Sequence, residues 1–468
     1  MMQQMLDKCA TAERALTSQC LAALRGNYVM TANDRAWHNA VAHNPLEELA
    51  LSRAATAGMD GHFSHRIKSP GIANQGKSGR CWMFAGLNVL RPQVMRRHQM
   101  AEFEFSTSYL QFWDKLEKSN LFLESVIELR DTDYLDRDWE MVICRTLLDG
   151  GWWNFLAGLI MKYGVVPASA MPETHGSGHT ETLNFVLSRL LQSHAVKLLK
   201  LHAGGADADA LHAAKSAALA EVYRLLVLNL GEPPAEFEWR YRRRRENGKE
   251  PADQDSVADA DLTPPERHTP RSFFEKYVNL PLADYACLYH DPCNELGRHY
   301  QFDRARNIVG DECMRFVNID MAAIKRIAVA SILANEPVWF AVDMRIDQSG
   351  KRGLMEHELF DYGALFGLDL TVDKADRIRF HAGASCHAMV LMGVDLDANG
   401  QPRKWLVENS WGEKKGRAGC WALHDRWFDE HVYTIVVHPR HVPAEIMAHF
   451  AEEPVVLPAW YPGTMGCA

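Results

Sequence analysis

Asn74-Gln75-Gly76-Lys77-Ser78-Gly79-Arg80-Cys81-Trp82-Met83-Phe84-Ala85 is a glycine loop that opens a helix on a cysteine. Glycines at 76 and 79 permit a tight turn. From Cys81 onward Phe84, Leu87, Leu90 and Val94 recur at helical spacing, and Arg96, Arg97 and His98 follow where a helix C-terminus favours cations. Pro92 falls inside this pattern and is expected to kink it. Cys81 therefore sits at a helix N-terminus, where unpaired amides favour a thiolate over a thiol. Gln75 precedes it on the same loop, so its carboxamide is placed to stand beside the Cys81 N–H as a donor to an oxyanion. An ordinary core cysteine would account for Cys81 alone, but it would need neither the glycine loop nor Gln75.

A nucleophilic cysteine needs a base, and the base needs a group to orient it. His387 opens the apolar run Ala388-Met389-Val390-Leu391-Met392, so it heads a predicted buried strand. Asn409 follows the strand Trp405-Leu406-Val407, and its carbonyl can accept the second ring proton of His387 without adding charge. Trp411 is expected to screen that bond from water. Cys386 adjoins His387, but neighbouring side chains on a strand point to opposite faces, so it is assigned to the core. Gly150 and Gly151 are expected either to form an ordinary turn or to let an extended substrate backbone approach closely.

The chain of 468 residues is too long for one ordinary core. Its 47% hydrophobic and 24% charged residues are those of a packed globular protein. A net charge of -9 argues against a general attraction to nucleic acid. The segment from Met1 to Lys8 lacks an apolar run with a small-residue cleavage site, so no secretory signal is expected. Apolar stretches such as 222–230 and 327–334 fall short of the roughly 18 residues that cross a bilayer. The ten cysteines show no C-x-x-C spacing, so neither a zinc site nor a disulfide framework is expected, and the cytoplasm is the expected compartment. No metal or cofactor is expected.

Helical patterning dominates the first half, with Ser106, Thr107 and Ser108 announcing a second helix. Short β-rich runs follow after about residue 310, among them Val338-Trp339-Phe340-Ala341-Val342. This order predicts an α+β protein with a cleft where the two parts meet. The expected divisions are an arm at 1–65, a helical lobe with the nucleophile at 66–185, a mostly helical insertion at 186–310 and a β-rich lobe with His387 and Asn409 at 311–456. A charged loop at 242–265 lies in the insertion, and a tail occupies 457–468.

Taken with Ser78-Gly79-Arg80-Cys81-Trp82, several stretches make the sequence resemble the bleomycin hydrolase and aminopeptidase C branch of the papain-like cysteine peptidases. They are Phe103 to Trp113, Lys162 to Pro167, Leu230 to Pro234, Val407 to Glu413 and Leu457 to Trp460. The resemblance implies a papain-like fold with large helical insertions, Cys81 as nucleophile, His387 as base and acid, Asn409 as orienter and Gln75 as oxyanion donor. It also implies an aminopeptidase acting on peptides, a homohexamer with an internal chamber, and a C-terminal tail in the cleft whose carboxylate, at Ala468, meets the substrate amine. The tail departs from the family pattern at Tyr461-Pro462-Gly463-Thr464. Two rival readings stand beside this one: a Cys-His acyltransferase of another class, disfavoured by Asn409 in place of Asp, and a non-catalytic assembly protein that kept the fold.

Overall fold

The computed structural model of the chain describes residues 15–57, 60–68, 71–244 and 261–464. Five long helices precede most of the strands: α1 (Cys81–His98), α2 (Thr107–Glu128), α3 (Trp153–Tyr163), α4 (Thr180–Ala203) and α5 (Ala208–Leu230). Local chemistry explains their ends. Ser106 accepts a hydrogen bond from the Tyr109 N–H and starts α2, while Arg96, Arg97 and His98 occupy the last turn of α1. The helix α1 runs continuously through Pro92 to His98.

Fourteen strands are present among the described residues. They are β1 (His65–Arg66), β2 (Phe237–Trp239), β3 (Glu266–His268), β4 (Ala286–Tyr289), β5 (Arg298–Phe302), β6 (Arg315–Asn318) and β7 (Val338–Val342). The rest are β8 (Gln348–Ser349), β9 (Leu354–Met355), β10 (His387–Leu396), β11 (Pro402–Glu408), β12 (Cys420–His424), β13 (Val432–Val437) and β14 (Val455–Leu457). Twelve of them form one mixed sheet in the order β14-β5-β6-β4-β13-β7-β10-β11-β12-β9-β8, with β1 pairing β10, and β2 pairs β3 separately. Two further helices, α6 (Met321–Leu333) and α7 (Asp425–His431), lie within the strand-rich part. Helices and a large mixed sheet together make the fold α+β, as expected.

Strands begin earlier than the sequence pattern indicated, since β4 and β5 lie within 286–302. Ala286-Cys287-Leu288-Tyr289 is buried on both faces, and a short wholly apolar run carries no periodicity by which to tell strand from helix. The segment expected to be an arm divides. The described part of residues 1–58 groups with 358–371 into a small compact unit, in which Ser52 N–H donates to the Leu359 carbonyl at 2.9 Å and Asp361 N–H to that of Ala50 at 2.7 Å. His65 and Arg66 instead pair with Val394 and Gly393 in the main sheet. In the charged loop, Arg242 bridges Leu262 and Arg243 bridges Met100, and residues 245–260 lie outside the described residues.

The core of the larger unit is the seam between α1 and β10. Trp82, Met83, Leu87, Leu90 and Val94 are buried on the helix, which packs against the strand whose residues 387–394 are buried. Burial of this apolar area supplies the main force holding the segments together. Polar links add register. The Trp339 indole of β7 donates to the Trp82 carbonyl at 3.1 Å, and Arg91 of α1 forms a buried ion pair with Glu408 of β11 at 2.8 Å.

Candidate active site

The start of the loop before α1 is held against the segment after Asn409. Asn74 forms an antiparallel bridge with Trp411, Gln75 N–H donates to the Ser410 carbonyl at 2.8 Å, and Gly412 N–H donates to that of Ala73 at 3.1 Å. Gly412 has φ +75, and a Cβ there would lie 3.1 Å from the Asn74 side chain, so both backbone conformation and close approach call for glycine. These contacts bring the segment before Cys81 against the segment after Asn409, although the two are remote in sequence.

Cys81 is the first residue of α1 and is half-buried. Burial pushes its thiol up, while the backbone amides of Ala388 and Trp82 beside the sulfur draw it back toward the thiolate. The Ala388 amide belongs to the strand headed by His387, so the sulfur lies against the start of β10. His387 is 8% exposed, and its Nε2 bonds to Asn409 Oδ1 at 2.9 Å. That choice of nitrogen leaves Nδ1 as the atom for a proton exchange with sulfur. Burial pushes the imidazole down to about 4, against the upward pull of the Asn409 carbonyl.

Strand register explains why Asn409 reaches the ring. Glu408 pairs with Val390 across β11 and β10, so Asn409 comes opposite Met389 and shares a face with His387, two residues away. Asn409 is 1% exposed, and its Nδ2 has no hydrogen-bond partner among the described residues. The side chain is thus oriented by what its oxygen does. Trp411 packs on the ring, with centroids 4.9 Å apart, and Trp421 meets Trp411 edge-on at 5.5 Å. Cys386 is half-buried rather than part of the core. Its thiol lies 3.9 Å from Asp343 because the alternation of the strand turns it away from the face used by His387.

Gln75 is buried, with its Oε1 accepting from Ser410 Oγ at 2.6 Å and its Nε2 donating to the Ser78 carbonyl at 2.5 Å. A carboxamide nitrogen has two hydrogens, so one remains for a ligand. Gly150 is exposed, and its carbonyl accepts from Lys118 at 2.8 Å. Gly151 has a packing reason as well, since a Cβ there would lie 2.5 Å from the Trp82 indole, one residue from the sulfur. Ala468 lies outside the described residues. The described part of the tail enters the sheet through β14, and Tyr461 donates to Asp291 at 2.5 Å.

Asp149 is the residue that sequence reasoning missed. Its carboxylate accepts from Gly79 N–H at 3.0 Å and from Asn184 at 2.9 Å, and also binds Lys115 and Thr180. Its backbone carbonyl accepts from the Trp82 indole at 2.8 Å. Burial alone would raise this carboxyl, but Lys115, Thr180 and Gly79 outweigh it and hold the group well below the ordinary range. Asp149 therefore braces the loop before Cys81 with a charge that stays ionised. Arg80 braces it from the other side, buried, with Glu173 at 2.8 Å and Gln111 at 3.0 Å. The only local signal for Asp149 was its place before two glycines.

A cysteine at a helix N-terminus, packed against a mixed sheet whose strand heads and loops bring up a histidine and an asparagine, is the architecture of the papain-like cysteine peptidase class. Residues 15–466 match the family model described as the Peptidase C1-like family, and the chain belongs to that family. It is 37% identical to Aminopeptidase C of Streptococcus thermophilus, over 94% of this chain and 96% of the relative. It is 34% identical to bleomycin hydrolase of Rattus norvegicus, over 89% and 91%. The crystal structure of PepW from Lactobacillus rhamnosis superimposes with a TM-score of 0.89 at 35% identity, covering 96% of this chain and 99% of that one.

Proposed function

We propose that this chain is a cysteine aminopeptidase that removes N-terminal residues from peptides through a thioester, with Cys81 as nucleophile, His387 as base and acid, Asn409 as orienter and Gln75 as oxyanion donor. The observation that carries the reading is the Cys81 sulfur at the start of α1, set beside the amide of the residue after His387, whose ring is tethered to Asn409 at 2.9 Å. Burial disfavours a lone charge on either sulfur or ring, so the two ionise together as the thiol proton passes to Nδ1 and each charge gains its partner. The thiolate attacks the peptide carbonyl carbon. Its oxygen takes the negative charge and is stabilised by the Cys81 N–H and the second Gln75 amide hydrogen. Collapse breaks the C–N bond, and the leaving amine takes the proton from His387. Water then adds to the thioester as His387 accepts its proton, and the thiol is regenerated when the carboxylic acid leaves.

The names of the relatives favour aminopeptidase chemistry, and Asn409 in place of an acid disfavours the acyltransferase reading. Cys81→Ser is expected to abolish release of aminocoumarin from aminoacyl-coumarin substrates, and sustained turnover would place the nucleophile elsewhere. We assign exopeptidase specificity to the last residues of the tail, with the Ala468 carboxylate paired to the substrate amine. In the same assay a chain cut after Thr464, which keeps β14 and the Tyr461 anchor, should lose aminopeptidase rate and gain turnover of N-blocked peptides; an unchanged ratio refutes the tail assignment. We also assign the chain to the cytoplasm and to a homohexamer. The eight described cysteines, all thiols, and the exposed Phe185, Val196 and Leu228 on α4 and α5 support these assignments. Among the described residues no helix is long and apolar enough to cross a membrane.

A further inference from the structure

Three side chains with metal-ligand chemistry converge away from Cys81. Asp347 follows β7, His357 follows β9 and His431 ends α7, and one ligand atom from each lies within 4.8 Å of the other two. Ligands about 2.1 Å from a tetrahedral ion stand about 3.4 Å from one another, so modest side-chain rotation closes the set around one centre. The segments are already joined by backbone, since Asp343 N–H donates to the His431 carbonyl at 2.9 Å and Glu356 N–H to that of Asp347 at 3.2 Å.

A second observation points to a ligand. His431 is 3% exposed, and its Nδ1 has no hydrogen-bond partner among the described residues. A buried ring nitrogen left in this way is costly, and an ion ligated through that nitrogen would satisfy it. The ring is fixed by Trp427, with centroids 4.7 Å apart. Neighbouring cations have their own anions, Arg377 with Glu430 at 2.9 Å and Arg345 with Asp343 at 2.7 Å. Lys374 is spent on the Asp429 and Val432 carbonyls.

We propose that Asp347, His357 and His431 form a binding site for a first-row divalent cation of the zinc type, with water completing a four-coordinate shell. Two imidazoles and one carboxylate suit Zn²⁺ or Co²⁺, whereas Mg²⁺ and Ca²⁺ prefer oxygen ligands throughout. The bound ion would clamp the segment after β7 to the end of α7. Val342, the last residue of β7, pairs in register with His387, so the clamp stiffens the strand end beside the catalytic base.

Cobalt is the probe, titrated into the full chain carrying Cys81→Ser so that the reactive thiol does not compete. The visible absorption of tetrahedral Co²⁺ should saturate at one ion per chain and be displaced by Zn²⁺, and Zn²⁺ should raise the melting temperature. Asp347→Asn and His431→Asn should each weaken binding by about 10²-fold with the circular dichroism spectrum retained. Lack of saturable absorption, or an affinity in both variants unchanged from that of the parent chain, overturns the site. If His431→Asn does not fold, the half-buried Asp347→Asn decides alone. Activity is not the readout, so failure here leaves the peptidase reading untouched.

Discussion

Asn409 commits its carbonyl to His387 and leaves its own amide hydrogens without a partner in a buried position, an arrangement that costs stability and is tolerated where orientation matters. Removing it has two separable effects. Asn409→Ala frees the ring to rotate and is expected to lower kcat/KM by about 10²-fold. It also deletes the interaction that raises the proton affinity of His387, so the imidazolium loses its proton at lower pH and the alkaline limb of the rate profile moves acidward. A pH profile of kcat/KM checks both, and an unmoved alkaline limb would show that the bond does not tune the ring. At this scale much was legible. Cys81, Gln75, His387 and Asn409 stood out because each lies at a turn or strand end with a chemical reason to be there. Asp149 and the Arg91–Glu408 pair did not, because an acidic or basic side chain carries no mark of the partner it will meet.

The element that matters most is α1, whose first residue carries the sulfur and whose first turn rests on Gly151 through Trp82. Gly151→Ala would push a methyl group into a rigid indole, so the protein is expected to lose about 1–3 kcal/mol of stability, with aminopeptidase rate falling as the turn shifts. Urea unfolding measures this, and a change within about 0.5 kcal/mol would mean that Trp82 yields without cost. The helix starts at Cys81 and Thr107, the strand start at His387 and the strand end before Asn409 were readable from caps and periodicity. The strands β4 and β5 were not, because short runs buried on both faces lose the alternation that marks a strand. Cysteine spacing is a local signal for a metal site, whereas Asp347, His357 and His431 are gathered only by the turn after β7, the segment after β9 and the end of α7.

For the whole molecule, assembly follows from the apolar surface of the helical insertion. Exposed Phe185 and Leu228, on α4 and α5, are 65% and 68% accessible, a cost in water that a contact between copies removes. Sedimentation equilibrium is expected to give six times the chain mass of 52.9 kDa, with Phe185→Asp shifting the distribution to smaller species. A monomer at micromolar concentration would end the hexamer assignment. The sequence by itself determined the class of chemistry, since a cysteine at a helix start, a donor upstream of it, a strand-head histidine and a strand-end asparagine are local features set by turns, caps and periodicity. Only the tertiary structure decided which distant groups touch. The bridge of Asn74 to Trp411, the Ala388 amide on the sulfur and the brace of Asp149 on Gly79 arise when α1 buries its apolar face against β10, and that packing depends on contacts between residues hundreds of positions apart.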